Sequence, residues 1–209
     1  MHIYAFGSVC RGEIDSKSDI DLLAVVDGYD NRFDLSIYSI YSYNRLSDLW
    51  QEGNPFAWHL ASEAKIIYSS NGKDFIKQLG LPAEYNKCIE DCRKFYNLYC
   101  KAVDSICSGG SSLVFEMSTI FLAIRNFATC FLLGKKQIGN FSRRSALQIG
   151  DRSIQISPDT FDLLERSRIL SIRGTGKMIE KEEVRSSLEE ISSIKIWMND
   201  LLVEVETNG

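Results

Sequence analysis

Phe6-Gly7-Ser8-Val9-Cys10-Arg11-Gly12-Glu13-Ile14-Asp15-Ser16-Lys17-Ser18-Asp19-Ile20-Asp21-Leu22 is the stretch on which the reading of this 209-residue chain turns. The apolar run at residues 3–6 reads as a strand, and it ends on a Gly-Ser pair. Small residues at that point let backbone N–H groups approach phosphate oxygens, and a helical turn starting there favours anions. Asp-x-Asp then opens a second apolar run at residues 20–26. Residues two apart on a strand share a face, so Asp19 and Asp21 are expected to present their carboxylates together. Such a pair repels itself unless a divalent cation sits between its members. Hard oxygen ligands with open positions suit Mg²⁺ (or Mn²⁺) bridging the phosphates of ATP or another nucleoside triphosphate.

Downstream, Asp27-Gly28 is a turn signal, and residues 33–40 alternate with period two. The pattern predicts a hairpin of these two strands that brings Asp34 beside Asp21 as a third carboxylate. Three acids next to a phosphate-binding turn describe a two-metal phosphoryl- or nucleotidyl-transfer site. The candidate metal and catalytic residues are therefore Asp19, Asp21 and Asp34. Gly7, Ser8, Ser18 and Arg11 are the candidate nucleotide contacts. Ser18 serves equally well as a turn cap, and Arg11 and Lys17 equally well as surface charge. His59, set among Phe56, Trp58 and Leu60, reads as a packed histidine rather than a general base.

Residues 43–51 look helical, residues 64–68 form a further strand, and Gly80-Leu81-Pro82 punctuates the chain. From there the apolar period becomes 3.6. Stripes run from Tyr85 to Ile106, Leu113 to Phe131, Thr160 to Ile172 and Val184 to Val205. The expected fold is α+β, with a small mixed-sheet domain at residues 1–80 and an all-α antiparallel helical bundle at residues 83–209. Arg166, Arg168 and Arg173 lie on the third helix, where they either hold an anionic substrate or join surface ion pairs. Six cysteines, four of them on one predicted helix, read as small packing residues kept reduced.

A balance of 24 Lys+Arg against 28 Asp+Glu argues against a general nucleic-acid binder, which needs a basic excess. With 44% hydrophobic residues and only 3 Pro, collagenous and disordered classes are excluded. Arg125 interrupts the longest apolar stretch, so no membrane span is expected. Met1-His2-Ile3-Tyr4-Ala5-Phe6 lacks a basic leader, so the expected location is cytoplasmic.

Gly7-Ser8 followed by Asp19-Ile20-Asp21 resembles the hG[GS]…DhDh signature of the DNA polymerase beta-like nucleotidyltransferase superfamily. The chain is similar to its minimal nucleotidyltransferases and, in its two-domain plan, to enzymes of the kanamycin nucleotidyltransferase type. The resemblance covers about the first 70 residues. It implies that Gly7 and Ser8 face a triphosphate and that Asp19 and Asp21 hold metal, with Asp34 matching the third acid through Phe33-Asp34-Leu35-Ser36-Ile37 alone. It also implies a helix ahead of the first strand. This sequence enters that strand at Ile3, so either the start is trimmed or another element covers that face. The Arg-x(4–6)-His motif of the associated helical ribonucleases is missing, since no histidine follows His59. The activity implied is transfer of a nucleoside monophosphate, AMP in the first instance, to a small-molecule or protein acceptor, by a monomer or homodimer. The competing reading is a non-catalytic module of the same fold that senses nucleotide or binds a toxin.

Overall fold

Four strands, β1 (His2–Phe6), β2 (Asp21–Val26), β3 (Tyr38–Ser42) and β4 (Lys65–Ser69), make one mixed sheet in the order β3-β2-β1-β4. They are seen in a computed structural model that describes residues 1–13, 20–28, 30–109 and 112–207. β1 is antiparallel to both β2 and β4, and β2 runs parallel to β3. Phe6 stands opposite Asp21 and Tyr4 opposite Leu23, so the inward residues of the two strands share one face. On that face α1 (Tyr43–Gln51) and α2 (Pro55–Glu63) add Leu46, Leu49, Trp50, Ala57 and Leu60 to a buried core with Tyr4, Phe6, Leu23 and Val25. Each such side chain fully buried is worth roughly 1.5–3 kcal/mol. On the opposite face Ala24 and Val26 are also buried, while Ile3, Ala5 and Leu22 are half-buried.

The helices start where side chains can satisfy orphan amides. Ser42 caps α1 by accepting from the Arg45 amide, and Asn54 caps α2 by accepting from the Phe56 amide, with Pro55 in the first turn. Asp74 caps α3 (Phe75–Leu79) and also accepts from the Tyr4 hydroxyl at 3.0 Å. The Ile76 amide donates back to that hydroxyl at 3.1 Å, which ties the central strand to α3. His2 does the same beside it. Its Nε2–H donates to the Lys73 carbonyl at 3.0 Å, leaving Nδ1 to accept from the Tyr43 hydroxyl at 2.6 Å.

The expected hairpin between residues 20–26 and 33–40 is corrected by the parallel pairing of β2 with β3. The physical cause is turn chemistry. Asp34 accepts from both the amide and the hydroxyl of Ser36, and its carbonyl accepts from the Ile37 and Tyr38 amides. That local hydrogen bonding competes with a strand ladder and delays the strand to Tyr38. The chain returns to the same end of the sheet before β3 begins, as a parallel neighbour requires.

Two compact units result: Met1–Asn86 with Gly139–Ser142, and Lys87–Ile138 with Arg143–Gly209. The first runs beyond Gly80-Leu81-Pro82 because that segment is bonded to it. Trp50 Nε1–H donates to the Gly80 carbonyl at 3.0 Å, the Ala83 amide to the Trp50 carbonyl at 2.9 Å, and Trp58 Nε1–H to the Ala83 carbonyl at 3.1 Å.

The second unit holds α4 (Cys88–Cys107), α5 (Leu113–Phe131, extended by a π-helical turn over Leu132–Lys136), α6 (Pro158–Arg173) and α7 (Lys181–Thr207). Contacts fix their directions. Cys88 at the start of α4 meets Cys130 at the end of α5, and Ser105 meets Glu116 at the other ends. Phe121 packs on Phe161 while Ser118 meets Arg168, so α5 and α6 are antiparallel. Arg93 pairs with Glu206 and the Tyr99 hydroxyl donates to the Ile191 carbonyl, so α4 and α7 are antiparallel too. Cys88, Cys92 and Cys130 are buried in this packing. Contrary to expectation, Leu113–Lys136 has the length and composition to cross a membrane, with a best-window mean hydropathy of 1.5. Within that window 72% of residues are buried, the environment of a core helix.

One glycine in the first unit sets a backbone crossing. Gly53 has φ 61°, and a Cβ there would lie 2.3 Å from the Glu84 carbonyl oxygen and 2.6 Å from that of Ala83. Gly53→Ala is expected to destabilise this unit by on the order of 3 kcal/mol, read from urea unfolding followed by tryptophan fluorescence.

Candidate active site

β1 ends and β2 begins at the same corner of the sheet, because Phe6 and Asp21 are register partners. Gly7 follows directly, with φ 80° and ψ −155°, a conformation open to glycine alone. A Cβ on Gly7 would stand 2.2 Å from Asp21 Oδ2, so the carboxylate occupies the space that any side chain would need. Asp21 itself is exposed at the mouth of the sheet. The geometry therefore brings together two of the residues singled out in the sequence, the phosphate-turn glycine and the second acid of Asp-x-Asp.

The chain then makes a single 3-10 turn, Ser8–Arg11. The Cys10 amide donates to the Gly7 carbonyl at 3.0 Å, and the Glu13 amide to the Ser8 carbonyl at 2.9 Å. Ser8 is buried in this turn. Four residues are too few to build a macrodipole, so the anion affinity expected of a helix start narrows to the first amides, which lack intrahelical acceptors.

Arg11 closes the turn and is held from two sides. Its Nη1–H donates to Glu63 Oε2 at 2.5 Å and its Nε–H to Glu13 Oε2 at 2.9 Å. Glu63 Oε2 also accepts from His59 Nε2–H at 2.9 Å. The His59 ring stacks on Phe141 at 4.6 Å and meets Phe6 edge-on at 5.4 Å. This is the packed histidine the sequence suggested, and Phe141 reaches it from the Gly139–Ser142 segment of the same unit. Burial pushes the Glu63 carboxyl up, but the His59 hydrogen bond and the nearby charges outweigh it and hold the group below the ordinary glutamate range. Burial also raises the Cys10 thiol, which feels the charges of Lys65, Glu63, Arg11 and Asp21 around it.

Asp34 is placed differently from expectation. It lies in the turn before β3, fully exposed, and the Ser36 amide and hydroxyl hold its carboxyl below the usual range. Asp34 therefore does not stand on a strand next to Asp21. β3 itself, Tyr38-Ser-Ile-Tyr-Ser42, carries no acid. Among the described residues no group of three His, Cys, Asp or Glu side chains is arranged to hold a metal ion. Asp19 and Ser18 lie outside the described residues, as does Lys17.

Sequence reasoning passed over Glu63, Glu13 and Lys65. Glu63 had a signal: Asn54-Pro55 starts a helix, and His59 and Glu63 are then one turn apart on a single face. In the second unit, Arg166 pairs with Glu183 at 2.8 Å. The Glu180 amide, followed by Arg166 and Lys177, pulls Glu183 down to about 2. Arg168 reaches the Ser118 hydroxyl at 3.5 Å.

β1, the Gly7 turn and the Asp21 carboxylate seated against it form one corner of the sheet. Residues 2–82 match the family model of the nucleotidyltransferase domain. Over residues 2–82 the chain is thus similar to the nucleotidyltransferase domain of the DNA polymerase beta-like superfamily, a class that transfers nucleotidyl groups. No curated protein matches the chain.

Two outcomes follow from this geometry. Gly7→Ala is expected to cost on the order of 2–3 kcal/mol in urea unfolding, because it adds backbone strain and evicts Asp21 from its seat. For Glu63, a folded pKa below the unfolded one means stability that is complete above about 4.5 and is lost as pH falls through the depressed value. Glu63→Gln is expected to be less stable than wild type at pH 7, by about 1–3 kcal/mol. That gap should narrow as pH falls below about 4.5, in urea midpoints measured from pH 7 downward.

Proposed function

We propose that this protein transfers a nucleoside monophosphate from a nucleoside triphosphate, ATP in the first instance, to a hydroxyl of a small-molecule or protein acceptor. The observation that carries this reading is the seating of the Asp21 carboxylate against Gly7, at the start of β2. The donor set fits a hard divalent cation, since Asp21 is an exposed carboxylate and Asp19 precedes it by two residues. Mg²⁺ or Mn²⁺ held by these two acids would supply positive charge against the triphosphate.

The chain's own groups do the rest. The first amides of the Ser8–Arg11 turn donate to phosphate oxygens, and Asp21, exposed at the mouth of the sheet, would share with Asp19 the cation set against the triphosphate. The acceptor oxygen forms a bond to the α-phosphorus as the bridging bond to the β-phosphate breaks. Pyrophosphate leaves with that electron pair, and the acceptor proton passes to water. Asp34 stays outside this machinery as a turn cap.

A specific observation favours the second reading, a nucleotide-binding module without turnover: β3 carries no acid, and Asp34 is held in the turn ahead of it by Ser36. One experiment separates the two. Pyrophosphate release from ATP and Mg²⁺ is followed with candidate acceptors, and acceptor mass is read by mass spectrometry. Asp21→Asn is expected to lower turnover by about a hundredfold or more, since charge stabilisation by a bound metal is worth several kcal/mol. Asp34→Asn is expected to change it by less than about threefold, the scale of an exposed turn contact. Tight binding of ATP and Mg²⁺ with no acceptor modified would establish the binding module instead.

A further inference from the structure

We infer that Glu63 and His59 are positioning residues, which hold Arg11 where its guanidinium meets the pyrophosphate end of a bound triphosphate. The inference rests on the nucleotidyl-transfer reading and adds to it the residues that set the leaving-group contact.

A guanidinium has five N–H groups. One N–H on Nη1 goes to Glu63 and that on Nε to Glu13. The others, including both on Nη2, have no protein partner among the described residues. Arg11 sits on the turn that begins at Gly7, whose backbone the Asp21 carboxylate is seated against, and the charges of Arg11 and Asp21 both act on the Cys10 thiol. A cation with spare fork geometry beside a metal-binding acid suits a phosphate chain.

The two carboxylates holding Arg11 are not equivalent. The Glu63 side chain is 9% exposed, while that of Glu13 is 45% exposed. Glu63 is fixed in turn by His59, and the His59 ring is clamped by Phe141, Phe6 and Phe56. A rigid aromatic cluster thus sets His59, His59 sets Glu63, and Glu63 sets Arg11. Glu13 is the exchangeable arm: phosphate oxygens would take its place on the guanidinium while Glu63 keeps its hold. As the bond to the α-phosphorus breaks, the charge gathering on the departing pyrophosphate then faces a cation already in position.

Simple electrostatics and positioning predict opposite results for one variant. Removing a negative charge near the site should strengthen anion binding, whereas removing the anchor of Arg11 should weaken it. The test is calorimetric titration of the full chain with inorganic pyrophosphate and with ATP, each with Mg²⁺. Arg11→Met is expected to weaken both by on the order of tenfold, and Glu63→Gln by a comparable factor. The double variant should bind no worse than Arg11→Met alone, because the two act through one contact. Glu13→Gln should bind pyrophosphate more tightly.

His59→Gln, which keeps an N–H near Nε2, should stay within about threefold of wild type, and His59→Phe should follow Glu63→Gln. Circular dichroism and melting establish that each variant is folded. Should Glu63→Gln fail to fold, the His59 pair decides: wild-type affinity in His59→Phe would overturn the inference. Unchanged or tighter binding by folded Glu63→Gln, or additive losses in the double variant, would overturn it while leaving nucleotidyl transfer standing. A wild-type protein that binds neither probe with Mg²⁺ or Mn²⁺ would overturn both.

Discussion

The seating of the Asp21 carboxylate against the Gly7 backbone is the constraint on which the corner of the first unit is built. It exists because β1 and β2 pair with Phe6 opposite Asp21, which brings the end of one strand to the start of the next. Gly7 then has to bend with φ 80°, and no side chain fits where Oδ2 sits. A register shift of one residue would turn Asp21 to the other face of the sheet and separate it from the turn. The core beneath the sheet, with Tyr4, Phe6, Leu23 and Val25 packed against α1 and α2, is what pays for that register.

The turn after Gly7 is short, so its geometry has to be imposed from outside. Arg11 does this through Glu63, a carboxylate largely removed from water. Isolated, such a buried charge would be costly. Here it accepts from both Arg11 and His59, and its desolvation is offset by two charge-assisted contacts. Aromatic packing around His59 makes the arrangement stiff. The segment Gly139–Ser142 contributes Phe141 to that packing and also the Ser142 hydroxyl, which reaches Glu13 at 3.4 Å. Four residues from late in the chain thus complete the surroundings of a turn formed at its beginning.

The parallel course of β3 changes what the site contains. A hairpin would have set Asp34 opposite β2; the parallel strand instead begins four residues later and presents Tyr, Ser and Ile. Asp34 spends its carboxylate on Ser36, which makes it part of the connection. Around Cys10 the charges are mixed, with Lys65 and Arg11 set against Glu63 and Asp21.

Local and periodic features were legible in the sequence because they depend on near neighbours. Gly7-Ser8, the strand start at Asp21, the α+β division and the four long amphipathic helices all follow from backbone sterics and from where apolar residues recur. The packed state of His59 was legible from its aromatic neighbours. Strand partnership was not, because alternation in residues 33–40 fits a parallel strand, an antiparallel strand or, as here, a turn followed by a shorter strand. Nor was the pairing of Arg11 with Glu63, fifty-two positions away. Side chains that distant meet only when α2 is laid across the sheet, and the packing of the core decides where its last turn falls.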